Sequence, residues 1–266
     1  MTDSSSVLEL FRLDGQVAIV TGAGQGIGAA TALALAEAGA DVALLARTEA
    51  DLEAVAEQVR ARGRRAITVP TDVNDLAALD AAVGRAVGEL GRLDIVINNA
   101  GGSVSRHFPD TTVEQLESSF HFNVSAAFEL ARLALPHQLA GGGGTVVNIG
   151  STAGRKASRG TLTHSLTKAA LAQLTRLMAA DLAPRVRVNG VLPGAVETAA
   201  LRRYVSEDVR AQMAGRTAMR RNGQPIDIAA AVLYLASPAS SWVTGKLLEV
   251  DGLADDDLVP KGIADL

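Results

Sequence analysis

The chain has 266 residues, 48% of them apolar, with 25 Lys and Arg against 29 Asp and Glu and no cysteine. These figures exclude a disordered chain, disulfides, thiolate metal sites and Cys nucleophiles. A net charge of −4 argues against general affinity for nucleic acid or anionic membranes, and four His without an H-E-x-x-H spacing argue against a metal centre.

Gln16 to Thr21 is a short β-branched run stopped by glycines, so a strand is expected there, followed by an Ala-rich helix to Ala38. Asp41 to Ala46 reads as a second strand and Asp51 to Arg62 as a helix. A third strand is expected over Ala66 to Pro70 and a third helix over Asn74 to Leu90. Asp94 to Asn98 gives a fourth strand, and Thr112 to Leu139 one long helical region with Pro136 near its end. After Gly141 to Gly144 come strand Thr145 to Ile149, helix Leu162 to Leu182, strand Arg187 to Leu192, helix Ile226 to Ala236 and strand Leu247 to Val250. Short, wholly apolar strands alternating with helices predict a parallel sheet covered on both faces, the doubly wound α/β (Rossmann) fold. No linker or repeat divides the chain, so a single domain over residues 1–266 is expected. Residues 1–14 lack the basic start and apolar stretch of a signal peptide, and apolar runs stop well short of about 20 residues, so the expected location is cytoplasmic.

The string TGAGQGIG, Thr21 to Gly28, falls where the first strand meets the first helix. Glycines there let the backbone turn tightly and approach a pyrophosphate, whose charge the helix N-terminus favours. Its spacing, Gly22, Gly26 and Gly28, resembles the turn of the short-chain dehydrogenase/reductase family. Further stretches resemble that family in the same order: Asn98-Asn99-Ala100-Gly101, Asn123 in the long helix, Ser151 after the fifth strand, Lys168 in the next helix, and Pro193-Gly194 with Thr198. The resemblance runs from about Arg12 to Gly252. It implies an oxidoreductase that transfers hydride between a nicotinamide dinucleotide and a ketone/secondary alcohol pair. It also implies a cofactor site built from Gly22, Gln25, Gly26, Ile27, Gly28, Arg47, Asp72, Val73, Asn99, Ala100, Gly101, Lys168, Pro193, Gly194 and Thr198.

Relatives that use NAD place an acidic residue at the end of the second strand. Here the position is Ala46, followed by Arg47. An Arg fork suits a 2′-phosphate, which favours NADP; the other reading is a solvated Arg with NAD accepted. Asp72 is the implied adenine contact, and helix capping is its alternative role.

The catalytic set that the resemblance implies is Asn, Ser, Tyr and Lys, with Tyr four residues before Lys. Counting from Ser151 and back from Lys168 gives position 164 both times, and the residue is His164. The chain holds two tyrosines, Tyr204 and Tyr234, and neither stands there. His164 as acid/base, a nucleotide-binding pseudoenzyme with little turnover, and another proton donor such as Tyr204 are the competing readings. Imidazole titrates near neutrality, but its outer nitrogen reaches roughly 2 Å less far than a phenol oxygen. Lys168 one turn away disfavours the imidazolium, which suits a base in alcohol oxidation better than an acid in reduction. Asn123, Ser151, His164 and Lys168 are therefore the catalytic candidates. Tyr234 reads as packing, His121 as pointing away from the site, His137 as exposed, and His107 as a loop residue near the substrate mouth.

A substrate lid is expected over about residues 195–223, with Arg202, Arg203, Arg210, Arg216, Arg220 and Arg221 facing solvent or meeting a carboxylate or acidic carrier. The resemblance also implies a homotetramer or homodimer, and the tail 254–266 is expected to lie over a neighbouring subunit or stay mobile.

Overall fold

The computed structural model describes residues 6–254. Seven strands form one sheet in the order β3-β2-β1-β4-β5-β6-β7. They are β1 (Val17–Thr21), β2 (Asp41–Ala46), β3 (Ala66–Pro70), β4 (Ile95–Asn98), β5 (Gly144–Ile149), β6 (Val186–Pro193) and β7 (Leu247–Val250). Every pairing is parallel. The order reverses between β1 and β4, and such a switch point opens a crevice at the strands' carboxyl ends.

Nine helices alternate with the strands among the described residues: α1 (Gly26–Glu37), α2 (Glu49–Ala61), α3 (Leu76–Leu90), α4 (Val113–Phe120), α5 (Ala126–Ala140), α6 (Leu162–Leu182), α7 (Ala199–Tyr204), α8 (Glu207–Gly215) and α9 (Pro225–Ala236). The period-two pleat sorts strand side chains between two cores. Ala18, Val20, Val42, Leu44, Ile95 and Ile97 meet α1, α2 and α9 on one face. Val17, Ile19, Ala43, Leu45 and Val96 meet α3, α5 and α6 on the other. No described helix is long and apolar enough to cross a membrane.

Three expectations need correction. The long helical region is α4 and α5 joined by a π-helical turn, His121–Ser125, and such wide turns often mark functional sites. The third helix begins at Leu76, and Asp75 rather than Asp72 caps it by accepting the N–H groups of Ala77 and Ala78. Asp72 instead accepts two hydrogen bonds from Asn74, at 3.0 Å from its backbone and 2.9 Å from its side chain. Near the N-terminus, Val7–Phe11 form a 3-10 turn, and Phe11 stacks at a tilt on Tyr234. Most of the expected tail, residues 255–266, lies outside the described residues.

Candidate active site

The glycine turn fits close backbone approach for steric reasons. A Cβ on Gly28 would lie 2.1 Å from the Gly22 carbonyl oxygen, and Gly22 and Gly26 adopt positive φ of 63° and 58°. The first helical turn of α1 has no side-chain cap at Gln25, so its amides stay available to an anion. Asn99 fastens β4 to this turn, its side-chain amide donating to the carbonyls of Thr21 (2.9 Å) and Gly22 (3.2 Å). Thr21 Oγ1 accepts from the backbone N–H of Asn99 and of Ala100. From the far side of the sheet, the Pro193-Gly194 loop brings Thr198 over the turn: a Cβ on Gly26 would sit 3.2 Å from its methyl. Thr198 itself caps α7. These residues, expected from separate motifs, therefore meet at the switch point, and the donor set fits a pyrophosphate. Val73 is buried behind Asp72. Arg47 is exposed just past β2, and Gly24 packs against Asp51 of α2, whose Cβ would lie 2.9 Å from an added Cβ.

A second cluster forms where β5 and α6 converge. Lys168 is buried, and its ammonium donates to the Ile149 carbonyl at 2.9 Å. Burial lowers its pKa from 10.5 to about 8. Ser151 begins a 3-10 turn, Thr152–Arg155, by accepting the Ala153 N–H. That turn packs on α6 so closely that a Cβ on Gly154 would meet Ala169 N at 2.8 Å. Asn123 is held in the π turn by donating to the carbonyls of Gly102 and Ser119, and it accepts the Gly102 N–H, each at 2.9 Å. A Cβ on Gly101 would lie 2.8 Å from Asn123 Oδ1 and 3.0 Å from Lys168 Nζ, which puts these two atoms within about 6 Å of each other.

His164 lies one turn before Lys168 on α6 and is half-buried. Burial first, and the Lys168 charge second, hold its pKa below the usual imidazole value. Its Nδ1 is buried and without a hydrogen-bond partner, so no carboxylate or carbonyl fixes the tautomer. Its neighbour Thr163 shares a 2.6 Å hydrogen bond with Ser103, a pair that no sequence motif flagged.

Other expected residues stand apart. Tyr204 is 74% exposed, with Arg203 over its ring, and Tyr234 packs on Phe11. His121 bonds the Asn74 carbonyl, away from Asn123, and His137 is half-buried rather than exposed because it sits within α5. In the lid, Arg202 and Arg210 are paired with Glu197 and Arg221 with Asp227. Those three arginines are thus engaged within the lid or with α9. A surface groove of about 600 Å³ between Asn74 and α4 contains none of the four catalytic candidates. No group of His, Asp or Glu suited to a metal occurs among the described residues.

The family model described as enoyl-(acyl carrier protein) reductase matches residues 22–252, the stretch that holds both clusters. The chain belongs to the short-chain dehydrogenase/reductase family. It is 52% identical over 248 residues to an uncharacterized oxidoreductase of Mycobacterium tuberculosis, covering 92% of this chain and 94% of that protein. It is 38% identical to the 7alpha-hydroxysteroid dehydrogenase of Escherichia coli, covering 91% and 94%. Among solved structures, a 7 alpha-hydroxysteroid dehydrogenase complexed with NADH and 7-oxo glycochenodeoxycholic acid superimposes with a TM-score of 0.90 at 36% identity, covering 97% of this chain and 100% of that one.

Proposed function

We propose that the protein transfers hydride between NADP(H) and a ketone/secondary alcohol pair, with His164 as its acid/base. The observation that carries this reading is the approach of Asn123 Oδ1 and Lys168 Nζ to Gly101, one helical turn from a half-buried imidazole whose Nδ1 has no hydrogen-bond partner. The bound nicotinamide supplies or accepts the hydride. Ser151 holds the substrate oxygen, because its Oγ uses one lone pair on Ala153 and keeps its proton to donate. Lys168 carries a charge that burial opposes, and with it binds the nicotinamide ribose. Asn123 positions a water that carries protons to or from the Lys168 ammonium.

Burial and Lys168 both favour neutral imidazole, so His164 is better prepared to take a proton from an alcohol than to give one to a ketone. Alcohol oxidation is the preferred direction. The unpartnered Nδ1 weakens the base, because the imidazolium that forms gains no second hydrogen bond.

Arg47, exposed and without a partner among the described residues, supports NADP. NAD is the second reading, favoured by Asp51, whose Cβ packs at Gly24 and whose carboxylate would repel a 2′-phosphate. Exposed Phe120, Phe128, Leu166 and Leu177 on α4, α5 and α6 support a homodimer or homotetramer, and the absence of a spanning helix among the described residues is compatible with a cytoplasmic location.

The test is titration with NADPH and NADH, then turnover on a panel of alcohols and ketones. His164→Ala is expected to lower turnover by about 10²- to 10⁴-fold while keeping nucleotide affinity. Nucleotide binding without turnover in the wild type, restored in His164→Tyr, would establish a pseudoenzyme instead.

A further inference from the structure

Charge is distributed unevenly around the second cluster. The chain carries 29 Asp and Glu, yet none falls between Glu129 and Asp181, and none between Asp94 and Asp110. These acid-free stretches supply the two loops that leave the catalytic cluster. One runs outward from Gly102 to His107 and the other runs inward from Lys156 to Thr161, at the start of α6.

The loops are fastened side by side by the Ser103–Thr163 hydrogen bond and, farther out, by the Arg106 N–H donating to the Gly160 carbonyl at 3.0 Å. Together they make a rim beginning three residues from His164.

Four cations lie on or beside this rim: Arg106, Arg155, Lys156 and Arg159. Arg155 is paired with Glu249 at 2.8 Å, and the Lys156 ammonium donates to the Ala254 carbonyl. Arg106 and Arg159 are exposed, flank the Arg106–Gly160 bond, and have no side-chain partner among the described residues. The same loops expose Val104 (62%), Phe108 (77%) and, at the start of α6, Leu162 (38%).

We infer that Arg106 and Arg159 receive a carboxylate on the end of the substrate remote from the reacting carbon, with an apolar body lying along Val104, Phe108 and Leu162. This rests on reading the cluster as a ketone/alcohol site and adds the class of molecule it takes: an apolar oxo or hydroxy acid. Two guanidiniums offer forked donors to one carboxylate, and no acid on either loop competes for them. Three of the lid arginines, Arg202, Arg210 and Arg221, are already paired with Glu197 and Asp227 and are poor candidates for that task. Gly160 is four residues from His164, at most about 14 Å of extended chain, so a molecule of up to about ten carbons or its alicyclic equivalent spans the two.

The test compares octanoate with octanamide by saturation-transfer NMR titration of the full chain in the presence of NADP⁺. Octanoate is expected to bind at least about fivefold more tightly at low salt, with the ratio falling toward one at about 0.5 M salt and in the double variant Arg106→Gln/Arg159→Gln. Equal affinities, or a ratio that the double variant leaves unchanged, overturn the inference. Turnover of 7-oxooctanoate against its methyl ester is the second arm, expected to favour the acid. An octanoate preference without turnover of any ketone or alcohol defeats the hydride-transfer reading and keeps the anion site. Turnover without acid preference in either arm does the reverse.

Discussion

The turn between β1 and α1 and the face of α6 around His164 obey different rules. In the turn, residue identity is imposed by space: an atom added to Gly28 would enter the Gly22 carbonyl, and one added to Gly22 would come within 2.8 Å of the Asn99 side chain. On α6, a histidine and a tyrosine would both satisfy the helix backbone, and position 164 is half-buried rather than closed in by main chain. A fold therefore preserves the first region through packing, while the second can change without the backbone registering it.

The largest effect that probes this contrast is expected in the turn. Gly28→Ala should weaken NADPH binding by about a hundredfold or more, because backbone must move where no flexible side chain can yield. Fluorescence titration of NADPH, with circular dichroism as a check on folding, measures it. Unchanged affinity would show that the turn does not form the nucleotide cradle.

Lys168 belongs to the second region, one turn from His164, and its effect on stability follows from burial of its charge. In the folded chain its pKa is about 8 against 10.5 in the open, so between these values the unfolded chain binds more protons. Stability thus rises with pH across that window, and the penalty is fully present below pH 8. Relative to Lys168→Met, the wild type should gain up to about 3 kcal/mol between pH 8 and 10.5, measured by urea unfolding at a series of pH values. Parallel curves for the two proteins would contradict a buried, charged lysine.

A smaller change sharpens the cofactor side. Arg47→Gln should lower NADPH affinity about tenfold and leave NADH affinity unaltered, since only the 2′-phosphate would meet the guanidinium. Equal losses for both nucleotides would favour NAD and shift attention to Asp51.

The sequence was legible wherever a residue type had one physical reason to be present. Apolar strands gave the parallel sheet, and the glycine spacing located the turn that Asn99 and Thr198 close over. The π turn that presents Asn123 was hidden, because its residues continue the helical pattern of α4 and α5 without a break. Asp72 and Asp75 were interchangeable by pattern, and only backbone geometry distinguishes the cap from its neighbour. The Ser103–Thr163 link and the pairing of Arg106 with Gly160 join segments more than fifty residues apart, for which no local signal exists. The missing tyrosine was the opposite case: absence of one side chain could be read at once, and its consequence depends on burial that no sequence displays.

That consequence is most directly measured as the pH dependence of kcat for alcohol oxidation, in the wild type and in His164→Tyr. Desolvation and Lys168 hold the imidazole pKa low, so the wild-type rate should rise through a single ionisation below about pH 6.5 and be flat at neutrality. His164→Tyr should move the rise to alkaline pH. A wild-type profile that climbs only above neutrality, or one that His164→Tyr leaves in place, would contradict His164 as the base.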